Sequence, residues 1–92
     1  MATVEIPSLL RDLTAGAERV EVDVPAEPFT VADLLAALEA RFPGFRERIL
    51  EEGALMPNLA VFIDGEQGLL GLREKVRPGS IVLFIPPTMG GG

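Results

Sequence analysis

Cysteine and histidine are both absent from this 92-residue chain. Without cysteine there can be no disulfide, no thiolate metal site and no cysteine nucleophile. Without histidine the commonest general base and metal ligand is missing too. Positive charge is scarce: eight Lys and Arg stand against fourteen Asp and Glu, a formal net charge of −6. Affinity for phosphates rests on Lys and Arg, so no nucleic-acid partner is expected. An acidic surface suits a basic protein partner, or serves solubility alone. Nothing approaches the ~20 consecutive apolar residues of a membrane span. The chain opens directly into a strand-like alternation with no basic leader, so neither a membrane segment nor a signal peptide is expected, and the expected location is the cytoplasm.

What is present suffices for one modest core. A chain of this length forms a single domain and buries roughly 60–65% of its unfolded surface. The hydrophobic fraction of 48% and charged fraction of 24% are those of an ordinary globular protein. Thr3 to Ile6 alternates polar and apolar as a half-buried strand does, and Arg19 to Val24 does so for six residues. Their closeness in sequence predicts an antiparallel pair joined by a loop over Ser8–Gly16, pinned by Leu9, Leu10 and Leu13. Thr30 and Asp33 have the spacing of a capping box. They open a helix with Val31, Leu34, Leu35, Leu38 and Phe42 on its apolar side, closed before Pro43. A second, shorter helix is predicted from Phe45 to about Leu50, with Gly53 as its stop. Leu59–Ile63 is a continuous apolar run, read as an interior strand covered on both faces or with one face left for a partner. Asp64-Gly65 signals a turn, Leu69–Val76 a weak element read as a short strand and a single helical turn, and Arg77–Ser80 a turn into a last strand, Ser80–Ile85. Placing that apolar strand in the sheet interior, beside the first, gives an α+β fold: a mixed sheet with one main helix across it, the β-grasp arrangement. A ferredoxin-like sandwich would need a second long helix between later strands, which this chain lacks.

Side-chain chemistry is sparse. Glu51 and Glu52 are adjacent and point in different directions on a helix, so they read as a solvated helix end. Asp64, Gly65 and Glu66 lack the ligand number of a calcium loop. Gly65, Gly68 and Gly71 match no phosphate-binding pattern. Lys75 is the only lysine, and beside Arg73 and Arg77 it reads as an exposed charge. No metal site and no bound cofactor are expected. The remaining handle is the carboxylate after Thr88-Met89-Gly90-Gly91-Gly92. Glycines lack Cβ and can thread a channel that excludes side chains. A partner supplying ATP could convert a terminal carboxylate to an acyl-adenylate, which a sulfur or amine nucleophile would then attack. The alternative is a frayed, inert end.

The segments Ile6-Pro7-Ser8-Leu9-Leu10-Arg11, Thr30 to Glu39, Arg41-Phe42-Pro43-Gly44, and Val82 to Pro87 with the glycine end resemble the ubiquitin-like sulfur carriers over nearly the whole chain. That family includes the small subunit of molybdopterin synthase, the thiamine-pathway carrier and the carrier that feeds a cysteine synthase. The resemblance implies a β-grasp domain over 1–87 and a flexible tail over 88–92, with no catalysis by the chain itself. It implies an ATP-dependent activating enzyme, a sulfurtransferase or other sulfur source, and a downstream sulfur-using biosynthetic enzyme as partners, the free carrier being a monomer. Gly92 would bear the thiocarboxylate, or Gly91 if the Pro-Pro-x-x-Gly-Gly ending is the matching one and Gly92 is trimmed. Thr88, Met89, Gly90 and Gly91 would enter the partner, and Leu83 and Ile85 would form the partner-facing patch. The resemblance leaves open a modifier joined to protein lysines and a dedicated molybdopterin synthase subunit. It does not name the final sulfur acceptor.

Overall fold

A computed structural model describes residues 1–25 and 27–86. Five strands form one mixed sheet in the order β2-β1-β7-β5-β6. These are β1 (Ala2–Glu5), β2 (Arg19–Val22), β5 (Ala60–Ile63), β6 (Glu66–Gln67) and β7 (Ile81–Ile85). β1 and β2 pair antiparallel with Val4 opposite Val20. β7 lies parallel to β1, with Glu5 opposite Leu83, and antiparallel to β5, with Phe62 opposite Leu83. The predicted interior position of the last strand, and its pairing with the first, are both present.

Helix α1 (Val31–Arg41) packs across one face of the sheet, and α2 (Phe45–Ile49) follows it. The capping box is complete: the Asp33 N–H donates to Thr30 Oγ1 at 3.3 Å, and the Thr30 N–H donates to Asp33 Oδ2 at 2.9 Å. Val31, Leu34, Leu35 and Leu38 are buried against Val4, Val20, Val61, Val82 and Phe84 of the sheet's inner face. Phe45 and Ile49 extend that core beneath α2. The fold is the β-grasp of ubiquitin-like proteins.

Two short elements differ from the sequence expectation. The second helix ends at Ile49, and Leu50–Glu51 (β3) pairs with Ala54–Leu55 (β4) as a separate hairpin. Glu52 and Gly53 both take positive φ, 53° and 82°, as a two-residue hairpin loop requires. Gly53 is therefore a hairpin residue and not a helix stop, and Glu51-Glu52 is not a helix end. A Glu in the left-handed region is uncommon, which is why Glu52-Gly53 does not announce a hairpin as Asp64-Gly65 does. The latter pair, at 53° and 86°, joins β5 to β6, and β6 has no counterpart in the sequence reading. In the weak region the helical turn is present as the 3-10 turn Gly71–Arg73, whereas the expected short strand is reduced to an isolated bridge from Lys75 to Thr30 at the start of α1.

Candidate functional site

The sheet face turned away from α1 carries the candidate surface. Along β7 the side chains alternate: Val82 and Phe84 are buried, whereas Ile81 and Ile85 are 51% and 42% exposed and Leu83 is half-buried. A strand exposes every second residue on one face, so Ile81, Leu83 and Ile85 form one row. The register sets Phe62 and Ala60 of β5 beside Leu83 and Ile85. On the other flank the row meets polar cross-strand pairs. Arg19 contacts Glu5 at 3.1 Å, and the Thr3 hydroxyl donates to Glu21 Oε2 at 2.6 Å. An apolar strip with a charged border is the ordinary composition of a protein-docking surface.

Leu83 and Ile85, named from the sequence, thus lie on one solvent-facing row. Ile81 and Phe62 belong to the same strip, and the sequence reading did not include them. The signal for Ile81 was available, because it precedes Leu83 by two residues in an alternating strand. Phe62 could not be assigned a face from a run in which every residue is apolar.

The row runs to the C-terminal end of β7. Ile85 ends β7 and Pro86 follows. Thr88, Met89, Gly90, Gly91 and Gly92, to which the sequence reading assigned the chemistry, lie outside the described residues, as does the proposed boundary at 87. Because β7 is parallel to β1, the loop leaving β1 at Ile6 and Pro7 turns at the same end of the sheet as Pro86. That loop is fastened to α2. Arg48 Nη2 donates to the Leu9 carbonyl at 2.9 Å, and Arg48 Nη1 donates to Asp12 Oδ2 at 3.1 Å. The Arg48 hydrogen bond holds the Asp12 carboxyl below the ordinary aspartate range.

A concavity of about 490 Å³ opens at the other end of β7, between Asp64, Arg73, Lys75, Arg77 and Ser80. It is remote from the tail exit, and its cations are interspersed with carboxylates. Asp64 accepts the Ile81 N–H at 2.9 Å and Glu74 accepts the Leu70 N–H at 2.9 Å, so both brace loops. Lys75 is exposed, as its sequence context predicts. Among the described residues no group of His, Cys, Asp or Glu is arranged to hold a metal ion, and no helix is long and apolar enough to cross a membrane.

Fold and surface together define a ubiquitin-like protein with an apolar sheet face that reaches the end of its last strand. Residues 4–91 match the model of the ThiS family. The chain belongs to that family of ubiquitin-like sulfur carriers. It is 34% identical over 64 residues to small archaeal modifier protein 3 of Haloferax volcanii, a match covering 67% of this chain and 70% of that protein. It is 29% identical over 94 aligned positions to the sulfur carrier protein CysO of Mycobacterium tuberculosis, covering 97% of each. Among solved structures it resembles a chain of the Amycolatopsis orientalis BexX/CysO complex, with a TM-score of 0.88 and 29% identity over 99% of this chain and 100% of that one.

Proposed function

We propose that this protein is a sulfur carrier that acts as a protein co-substrate and not as an enzyme. An ATP-dependent activating partner joins the Gly92 carboxylate to AMP and releases pyrophosphate. A sulfur nucleophile then attacks the carbonyl carbon, the bond to AMP breaks, and a terminal thiocarboxylate results. A downstream biosynthetic enzyme consumes that sulfur. The observation that carries this reading is the exposed Ile81–Leu83–Ile85 row on the strand that immediately precedes the glycine-ended sequence. A partner that grips the row receives the tail at a fixed place. Full-length similarity to CysO adds support and favours a carrier coupled to cysteine or a related small acceptor. The carrier itself needs neither metal nor bound cofactor, since ATP belongs to the activating partner.

The test is intact mass after incubation with the activating enzyme, ATP and sulfide. The expected change is one oxygen exchanged for one sulfur, located at the last residue by fragmentation. An unchanged mass, with an enzyme competent on another carrier, overturns the reading. The family match ends at Gly91, one residue before Gly92. Deleting Gly92 therefore separates the two acceptors: a Gly92 acceptor predicts loss of product, a Gly91 acceptor predicts full conversion.

A second reading is a modifier joined to protein lysines, supported by the similarity to small archaeal modifier protein 3. The same acyl-adenylate would then accept an amine in place of sulfur. It predicts higher-mass conjugates in cell lysate whose tryptic peptides carry the glycine remnant on lysine.

A further inference from the structure

We propose that Leu9 is a second apolar anchor for the activating partner, set beside the tail exit at the end of the sheet and distinct from the sheet-face row. This rests on the carrier reading above. Three observations point to it. The first is exposure: Leu9 is 56% exposed, while Leu10 next to it is 4% exposed and belongs to the core.

The second is position. β1 and β7 are parallel neighbours with Glu5 opposite Leu83, so the chain leaving β1 at Ile6 and the chain leaving β7 at Pro86 depart from the same end of the sheet. The 3-10 turn Ser8–Leu10 begins two residues after Ile6, so Leu9 lies at the end of the sheet from which Pro86 leaves. Any protein that draws the tail into a channel must close over this end of the sheet.

The third is rigidity. An exposed leucine on a loose loop would lose its freedom on binding and contribute little. Here the loop is tied at several points. Arg48 donates to the Leu9 carbonyl and to both Asp12 carboxylate oxygens, at 2.9, 3.1 and 3.3 Å. Arg11 Nε donates to the Ile6 carbonyl at 3.1 Å, and buried Thr14 donates to the Ala17 carbonyl at 3.0 Å. The leucine is therefore held out toward solvent by a loop already fixed. Its fitting occupant is an apolar pocket at the mouth of the partner's tail channel, where a pre-organised anchor is most effective. Arg48 acts through Leu9 and is a positioning residue.

The experiment measures pyrophosphate exchange as a function of carrier concentration with the purified activating enzyme. Leu9→Asp is expected to raise KM by about tenfold or more with kcat little changed, as loss of an interface anchor does. Arg48→Ala, which keeps the leucine but frees its carbonyl, is expected to raise KM by a few-fold. Arg48→Ala added to Leu9→Ala is expected to raise it no further, because coupled residues are not additive. Thermal melts of each variant establish that it is folded. A wild-type KM for folded Leu9→Asp overturns the anchor and leaves the carrier reading intact. Additive effects of Leu9→Ala and Arg48→Ala overturn the positioning role of Arg48. Absence of any exchange with wild-type carrier, by an enzyme active on another carrier, overturns both readings together.

Discussion

Glu39 shows how a single half-buried carboxylate can join two elements. It sits near the end of α1, and its side chain reaches past Phe42 and Pro43 to the start of α2. There the Gly44 N–H donates to Oε2 at 2.9 Å and the Arg46 N–H donates to Oε1 at 2.9 Å. The first N–H groups of a helix have no partner within it, so Glu39 supplies what no side-chain cap at Gly44 does. These backbone hydrogen bonds, the Gly44 bond first, hold its carboxyl below the ordinary glutamate range. A carboxyl depressed by folding stabilises the native state above the unfolded value. That contribution is lost as pH falls through the folded value. Glu39→Gln is therefore expected to lower Tm at pH 7 by a small amount. The gap should close in acid, once the wild-type carboxyl is protonated. Thermal melts at pH 7 and near pH 3 check this, and a gap that persists unchanged in acid would remove the charge from the explanation.

At the scale of the element, β7 has one buried and one open face. Phe84 is fully buried, and Phe→Ala in a core costs about 3–5 kcal/mol, a large share of the roughly 5–15 kcal/mol that holds a domain together. Ile85, the next residue, is exposed, and exposed substitutions usually change stability by less than about 0.5 kcal/mol. Phe84→Ala is thus expected to lower the urea midpoint sharply. Ile85→Lys should leave it nearly unchanged while raising KM for activation. A stable Ile85→Lys protein with wild-type KM would detach the sheet face from partner binding.

The same strand shows what the sequence makes legible. The run Ile81–Ile85 is apolar throughout and names neither face by itself; the resemblance sets Ile85 on the open face, and the two-residue strand period then makes Leu83 and Ile81 readable as its neighbours there. The Thr30–Asp33 capping box and the leucine spacing of α1 are equally readable, because each is a local pattern enforced by hydrogen bonds or period. The β3–β4 hairpin was not readable. Its strands are two residues each, and its loop places Glu52 where Asn or Asp is usual. Phe62's place on the open face and Leu9's place at the tail exit depend on register between distant strands, which no local pattern encodes. Leu9 read simply as one of three leucines pinning a loop. Leu10 is buried and Leu13 partly so, while Leu9 turns outward.

At the scale of the whole molecule, the sheet gives the protein two unlike ends. Pro86, where the chain leaves β7, and the Leu9 loop share one end because β1 and β7 are parallel. The Arg77–Ser80 turn, which precedes β7, is at the other. Five residues of β7 separate the ends by roughly 17 Å at a strand's rise per residue. The absence of cysteine allows this polarity to be tested directly, since any introduced thiol is unique. Leu9→Cys and Arg77→Cys both place a thiol on an exposed residue. Labelling each with a bulky maleimide compares obstruction at the two ends in the same assay. Modification at position 9 is expected to suppress activation strongly, whereas modification at position 77 should leave KM within about twofold, a free-energy change of only a few tenths of a kcal/mol. Equal suppression at both positions would mean that the partner envelops the carrier and does not grip it at one end. Suppression at position 77 alone would move the docking surface to the Arg73–Arg77 concavity and reverse the assignment of the two ends.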